Sequence, residues 1–207
     1  MKLLIASRNL KKCREIEEML APRGIEAISL SSFPHAPEAN ETGATFEENA
    51  AIKARAARDV SGMWTLADDS GLCVDALGGE PGVHSARYAG EGASDEDNNC
   101  LLLARLQNVP DERRSARFVC VIALALPPCP AERLGADILF FRGEAHGYIL
   151  RQPRGCNGFG YDPLFLSSDL GIAFAEATAA EKHRVSHRGR ALAAFLSCLE
   201  EIRTKVG

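Results

Sequence analysis

The 207-residue sequence lacks the marks of membrane, secreted disulfide-rich and nucleic-acid-coating proteins. No stretch approaches the roughly 18 consecutive apolar residues that a membrane-spanning helix needs, so we expect no membrane contact. The apolar run 3–6 stops at Ser7, which is too short for an export signal. Lys and Arg number 24 against 28 Asp and Glu, a net charge of −4, which argues against nucleic acid as a partner.

The seven cysteines show no pairing pattern. Their number is odd, their spacing is wide and none belongs to a Cys-x-x-Cys pair, so neither a disulfide framework nor a zinc ribbon is expected. Free thiols are typical of a reducing compartment, and we therefore expect a cytoplasmic protein. Hydrophobic residues make up 46% of the chain and charged residues 25%, which is ordinary for a globular protein.

Hydrophobic periodicity and capping patterns predict an α/β chain. The predicted strands are 2–7, 25–30, 65–67, 72–77 and 118–126, with a hairpin formed by 138–141 and 148–150. The predicted helices are 9–20, 46–59, 94–107, a short one after Thr178 and a last one after Ser186. Residues 127–135 are predicted to form an exposed loop. The helix-free block 118–150 indicates an antiparallel end of a mixed sheet and a second lobe, with a cleft between lobes as the ligand site.

The segment Ser7-x-Asn9-x-x-Lys12 lies where the first strand passes into the first helix. Unpaired backbone N–H groups and the helix dipole favour an anion there, and Lys12 adds a positive charge one turn into the helix. The alternative is that Ser7 or Asn9 only caps the helix while Lys12 is solvated. The glycine-rich pattern of a Walker loop is absent. The segment is therefore either a phosphate site or an ordinary cap.

Three acidic residues form the second candidate site. Asp68 and Asp69 follow a short apolar strand, which predicts that both lie at a strand end, and Glu41 lies in the loop before the second helix. Burying adjacent carboxylates is costly without a cation, and Mg²⁺ suits one or two carboxylates together with substrate phosphates. Asn49 and Lys53 share a face of the second helix. The alternative is a solvent-exposed acidic turn.

The segment 158–163, Gly-Phe-Gly-Tyr-Asp-Pro, is the third candidate. Glycines on both sides of an aromatic residue let the backbone approach a ligand closely, and the ring of Phe159 is a surface on which a base can stack. The alternative is a bulged turn that packs two aromatic side chains.

The segment 186–189, Ser-His-Arg-Gly, begins a helix and is the fourth candidate. It places helix N–H groups, an imidazole and a guanidinium close together, and all of these donate hydrogen bonds. The alternative is an ordinary surface helix with its cap.

Eight short segments follow one another over nearly the whole chain. They are 7–12, 41–50, 66–72, 77–82, 85–88, 158–163, 181–182 and 186–188. Taken together and in this order, they resemble the inosine triphosphate pyrophosphatase family, whose members remove noncanonical purine nucleotides. Each segment is weak evidence alone, whereas the ordered set is highly specific.

The resemblance implies a fold and a reaction. The fold is an elongated mixed β-sheet flanked by helices, with two lobes around a central active-site cleft, in a single nucleoside triphosphate pyrophosphatase domain over residues 1–207. The reaction is the hydrolysis of the triphosphates of inosine, deoxyinosine and xanthosine (ITP, dITP and XTP) to the monophosphate and pyrophosphate. The resemblance also implies Mg²⁺ as the cofactor and a homodimer.

The resemblance further implies roles for individual residues. Glu41, Asp68 and Asp69 would bind Mg²⁺, and Asp69 would also be the catalytic base. The implied substrate-binding residues are Ser7, Arg8, Asn9, Leu10, Lys11, Lys12, Lys53, Ser70, Phe159, Gly160, Tyr161, Asp162, Lys182, His187 and Arg188. We expect donors among the last of these to give hydrogen bonds to a carbonyl at position six of the purine and to oppose the amino group of adenine.

Two other functions fit part of the pattern. A related pyrophosphatase for modified pyrimidine nucleotides would share the acids and lysines but would need a different base pocket. A noncatalytic nucleotide sensor would lack a metal ligand or the base, whereas Glu41 and Asp69 are both present.

Overall fold

The computed structural model describes residues 1–36, 39–127 and 135–206. In these ranges the chain forms one sheet in the order β2-β1-β3-β4-β5-β6. The strands are β1 (Lys2–Ile5), β2 (Glu26–Ser29), β3 (Thr65–Val74), β4 (Ser115–Ala125), β5 (Ile138–Ile149) and β6 (Phe165–Ser167). The α-helices are α1 (Leu10–Leu20), α2 (Phe46–Ser61), α3 (Asp95–Arg105), α4 (Ala179–Val185) and α5 (His187–Val206).

The sheet is mixed, as predicted. Strand β1 pairs in parallel with β2 and with β3, whereas β5 and β6 pair antiparallel. A parallel pair needs a crossover, and α1 and α2 supply the crossovers here. The α/β class and the antiparallel end of the sheet are therefore confirmed.

Local capping chemistry starts the helices where the sequence predicts. The side chain of Asn9 caps α1, and Thr45, Ser94 and Thr178 each form a complete capping box at α2, α3 and α4. At α5, the Ser186 hydroxyl accepts a hydrogen bond from the N–H of Gly189 at 3.0 Å. Each cap satisfies backbone N–H groups that have no partner inside the helix.

Two strand predictions are wrong. Asp68 and Asp69 do not end a strand, because β3 continues through them to Val74. The expected hairpin around Arg142 and Gly143 is instead one continuous strand, β5. Exposed and buried residues keep alternating through these two positions, which fits an uninterrupted strand. The predicted loop 127–135 falls mostly on residues 128–134, which lie outside the described residues.

The chain divides into two compact units. The first comprises residues 1–69, 121–143 and 191–207, and the second comprises 70–120 and 144–190. The core of the first includes the fully buried Leu3, Leu4 and Ile16. The core of the second is rich in aromatic residues, with the rings of Phe118 and Phe165 4.7 Å apart. Among the described residues, no helix is long and apolar enough to span a membrane, and no cysteine forms a disulfide.

Candidate active site

Asp68 and Asp69 each contact a different lysine. The Nζ of Lys12, on α1, lies 2.7 Å from Oδ1 of Asp68, and the Nζ of Lys53, on α2, lies 2.6 Å from Oδ1 of Asp69. Consecutive residues of a strand point to opposite faces, so the two carboxylates do not compete for one cation. Both acids and both lysines are buried or nearly so, and burial without such partners would be costly.

The acids lie just beyond the carboxyl end of β1, because Ile5, the last residue of β1, pairs with Leu66 of β3. In open α/β sheets, ligands bind outside the carboxyl ends of parallel strands. The interruption of an apolar strand by two acids is therefore explained by their position at a ligand-binding edge.

Glu41 joins the same lysine as Asp69. Its Oε2 lies 3.3 Å from the Nζ of Lys53. One turn before Lys53 on α2, the side chain of Asn49 accepts a hydrogen bond from the N–H of Gly43 at 2.8 Å and so holds the Glu41 loop against the helix. A Cβ on Gly43 would lie 2.6 Å from the Cβ of Glu48 and 3.0 Å from the backbone nitrogen of Asn49, so a side chain here would push the loop away from the helix. The structure therefore brings Glu41, Lys53 and Asp69 together.

The electrostatics of Asp69 differ from those of an ordinary aspartate. Burial raises the pKa of Asp69 to about 6, although the attraction of Lys53 opposes the rise. Burial lowers the pKa of Lys53, but Asp69 and Glu41 outweigh it, so that the pKa of Lys53 ends above its ordinary value. The second oxygen of Asp69, Oδ2, is buried and has no hydrogen-bond partner among the described residues. A buried oxygen without a partner is rare and is consistent with a ligand that binds there.

The carboxylates of this site suit Mg²⁺ that binds together with a substrate better than they suit a metal ion with protein ligands alone. Within the described ranges, no group of three or more His, Cys, Asp and Glu side chains is arranged to hold a metal ion. Mg²⁺ needs only one or two carboxylates, because substrate phosphates and water complete its shell. Glu41 and the unpartnered oxygen of Asp69 meet that need.

The N-terminus of α1 is capped by its own side chains. Oδ1 of Asn9 accepts from the N–H groups of Lys11 and Lys12, and the hydroxyl of Ser7 accepts from the N–H of Asn9. Arg8 donates to the carbonyl of Ala36 at 2.8 Å. The capping alternative is thus correct for Asn9, whereas Lys12 contacts Asp68 rather than water alone.

Two more of the predicted substrate-binding residues lie beside this cap. Leu10 is 74% exposed, and the side chain of Lys11 is exposed as well.

In the second unit, Asp162 organises the segment that carries Phe159. Its Oδ2 accepts from the Nζ of Lys182 at 2.6 Å and from the N–H of Phe159 at 2.8 Å. Lys182 Nζ lies 5.0 Å from the centroid of the Phe159 ring, and the guanidinium carbon of Arg188 lies 5.8 Å from it. A Cβ on Gly158 would overlap Asp162 Oδ2, so glycine is required there.

Arg188 and His187 begin α5 and are both buried. Arg188 donates to the hydroxyl of Ser70 at 3.0 Å, and Ser70 directly follows Asp69 along β3. The ring of His187 stacks on that of Phe118 at 4.7 Å and 10°. Phe159, Asp162, Lys182, Arg188 and Ser70 are therefore connected by direct contacts within one unit.

Tyr161 lies differently from a ligand-contacting residue. The residue is 4% exposed, and its hydroxyl donates to the carbonyl of Ser85 at 2.9 Å. It supports the Phe159 segment from the core.

Gly160, which precedes Tyr161, is hydrogen-bonded by two residues of α3 that the sequence analysis did not predict for the site, Asp95 and Asn99. Their four-residue spacing on a predicted helix was the available signal.

The sequence matches the Ham1 family over residues 3–198. A dITP/XTP pyrophosphatase of Geobacter sulfurreducens is 53% identical over 192 residues, which cover 93% of each chain. A dITP/XTP pyrophosphatase of Symbiobacterium thermophilum is 51% identical over 201 residues, which cover 97% of this chain and 94% of that one.

Solved structures agree. The Ham1 protein of Staphylococcus aureus has a TM-score of 0.83 and 38% identity, and a HAM1 protein of Coxiella burnetii has 0.84 and 42%; each comparison covers 97% of this chain and 99% of the other. The resemblance inferred from the ordered motifs is confirmed. Since the match spans nearly the whole chain, this protein belongs to the Ham1 family.

Proposed function

We propose that this protein hydrolyses noncanonical purine nucleoside triphosphates, namely ITP, dITP and XTP, to the monophosphate and pyrophosphate. The observation that carries the proposal is the cluster of Glu41, Lys53 and Asp69, in which Asp69 is buried, in a chain about half identical to proteins named dITP/XTP pyrophosphatases. Removal of such nucleotides cleanses the nucleotide pool. The intact acid cluster disfavours a noncatalytic sensor.

The lysines are proposed to bind the triphosphate. Lys12 and Lys53 now contact carboxylates, and an arriving phosphate offers each ammonium a second anionic partner of the same kind. The segment from Ser7 to Lys12 would lie along the phosphates. Positioning and charge neutralisation provide most of the catalysis in phosphoryl transfer, so these lysines would act mainly on the leaving pyrophosphate.

Asp69 is proposed to be the general base. Its carboxylate is held by Lys53 through one oxygen, and the other oxygen is buried without a hydrogen-bond partner among the described residues, so it would orient or deprotonate the attacking water. Glu41 and Asp69 would hold Mg²⁺, and Asp68 would support the site from the other face of β3 by holding Lys12. When bound, Mg²⁺ neutralises phosphate charge. Lys53 holds both carboxylates in place until substrate arrives.

The second unit is proposed to bind the purine. The ring of Phe159 would stack on the base, and Arg188, His187 and Lys182 would supply hydrogen-bond donors and positive charge. A donor can give a hydrogen bond to the carbonyl at position six of hypoxanthine and xanthine but repels the amino group of adenine. A polar site left unpaired discriminates by factors of about 10⁴ or more. The contact of Arg188 with Ser70 would fix this donor.

We also propose a homodimer that works in the cytoplasm, where the nucleotide pool lies and thiols stay reduced. Light scattering after size exclusion would test the dimer, with a mass of twice 22.3 kDa expected and a mass of 22.3 kDa contradicting it.

A panel of nucleoside triphosphates tests the function. The protein is incubated with Mg²⁺ and ITP, dITP, XTP, GTP, ATP or a modified pyrimidine nucleotide, and pyrophosphate and phosphate are measured separately. We expect pyrophosphate from the first three in preference to the others. Release of phosphate, turnover of the pyrimidine nucleotide above dITP, or binding without turnover would each contradict the proposal.

A further inference from the structure

Helix α3 holds Gly160 at both of its backbone polar groups. The N–H of Gly160 donates to Oδ2 of Asp95 at 2.9 Å, and its carbonyl accepts from Nδ2 of Asn99, also at 2.9 Å. Asp95 and Asn99 are four residues apart and therefore share one face of α3. The two bonds fix the orientation of this peptide group.

The segment next to Gly160 needs such restraint. Gly158 and Gly160 have positive φ angles of 75° and 61°, which glycine adopts freely but does not favour strongly over other conformations. Between them, the N–H of Phe159 is held by Asp162. Hydrogen bonds on both sides therefore fix the backbone from which the ring of Phe159 projects.

The buried amide oxygen of Asn99 supports a role beyond stability. Its Oδ1 is buried and has no hydrogen-bond partner among the described residues. A buried oxygen without a partner is unfavourable, so an apolar or smaller residue would serve a purely structural position better. The contact that Asn99 does make is the one to Gly160.

We propose that Asp95 and Asn99 are positioning residues for purine recognition. They hold Gly160 so that the Phe159 ring keeps its place beside Lys182 and Arg188, 5.0 and 5.8 Å from its centroid. Neither residue contacts the base. This inference rests on the proposed function, because it assumes that Phe159 stacks on the purine.

Steady-state kinetics with dITP and Mg²⁺ test the inference. Asp95→Ala and Asn99→Ala are each expected to raise KM about tenfold and to change kcat by less than about threefold, since a lost hydrogen bond loosens the base platform but not the acids. Asn99→Asp removes the donor without changing side-chain size and should behave like Asn99→Ala. Asp95→Asn keeps an oxygen acceptor and should restore KM to nearly the wild-type value.

Two controls separate positioning from a general structural effect. Glu96→Ala alters an exposed acid of the same helix turn and should leave KM unchanged. Inorganic tripolyphosphate has no base, so its inhibition constant should stay constant in every variant. The inference is overturned if KM for dITP moves less than twofold in both alanine variants, or if inhibition by tripolyphosphate weakens in parallel with KM.

Failure of the proposed function can be distinguished from failure of the positioning inference. If the wild-type protein does not hydrolyse dITP, the proposed reaction is wrong, and the affinities of the same variants for dITP are then measured by calorimetry. An affinity loss in Asp95→Ala and Asn99→Ala but not in Glu96→Ala would still support positioning. Equal affinities in all variants would overturn it.

Discussion

Replacing Lys53 by methionine should destabilise the protein through the carboxylates it leaves behind. Lys53 contacts Asp69 at 2.6 Å and Glu41 at 3.3 Å, and the side chains of Lys53 and Asp69 are only 13% and 8% exposed. Removing one partner of a buried ion pair costs about 3–5 kcal/mol. Methionine preserves the apolar stem and Lys53 keeps some solvent contact, so we expect the lower value, a loss of about 3 kcal/mol.

The loss should depend on pH in a defined direction. Burial raises the pKa of Asp69 to about 6, so the ionised carboxylate already costs stability above that pH. Without Lys53 the pKa of Asp69 in the folded state rises further, because an opposing attraction is gone. The difference between variant and wild type is therefore largest at pH 8 to 9 and shrinks towards pH 5, where the carboxyl is mostly neutral in both proteins.

Urea unfolding at pH 8 and pH 5, with EDTA present to remove divalent cations, measures this effect. Lys2→Met is the matched control, because Lys2 contacts Glu26 at 3.3 Å with both side chains more than 60% exposed. Such exposed pairs contribute about 0–1 kcal/mol. A Lys53→Met variant as stable at pH 8 as Lys2→Met would refute the view that Lys53 compensates the buried acids.

Three further predictions follow from other contacts. Arg188→Ala removes the donor held by Ser70 and should reduce the ratio of kcat/KM for dITP over dATP; an unchanged ratio would assign base recognition to other residues. Arg114→Met leaves the carbonyls of Leu106, Ile149 and Leu150 without their buried guanidinium donor. Urea unfolding should show a free energy of unfolding lower by about 4 kcal/mol, and a loss below about 1 kcal/mol would contradict this prediction. Gly189→Ala places a Cβ on the carbonyl of His183 and should lower the unfolding free energy by about 2 kcal/mol; an unchanged Tm would show that the start of α5 can shift without cost.

Local chemistry explains what the sequence predicted correctly. The capping boxes at Thr45, Ser94 and Thr178 involve residues three apart, so the pattern and the structure contain the same interaction. The apolar run of β4 likewise predicts a buried strand, because a strand that is buried on both faces has apolar residues at nearly every position.

The errors arise from interactions distant in sequence. Because buried acids are rare, Asp68 and Asp69 predict the end of a strand. Inside β3 their burial is compensated by ion pairs with the lysines of α1 and α2. Arg142 reads as part of a turn, yet it is exposed on β5 and contacts Glu47, 95 residues away. No local pattern contains either pairing.

The candidate site was predictable in composition but not in arrangement. The resemblance selected Glu41, Asp69 and Lys53, and the structure shows that they meet. It could not show that Tyr161 serves the core through Ser85. A tyrosine beside a glycine-rich turn has the same local pattern whether it faces a ligand or the interior.

Hydrolysis of dITP by Asp69→Asn tests the central role of this residue most directly. The substitution keeps the size of the side chain and removes its negative charge, and Asp59→Asn, at an exposed residue paired with Arg58, is the control. With saturating dITP and Mg²⁺, we predict that wild type and control release pyrophosphate and that Asp69→Asn is slower by about 100-fold or more with an unchanged circular dichroism spectrum. A rate for Asp69→Asn within threefold of wild type would contradict the account.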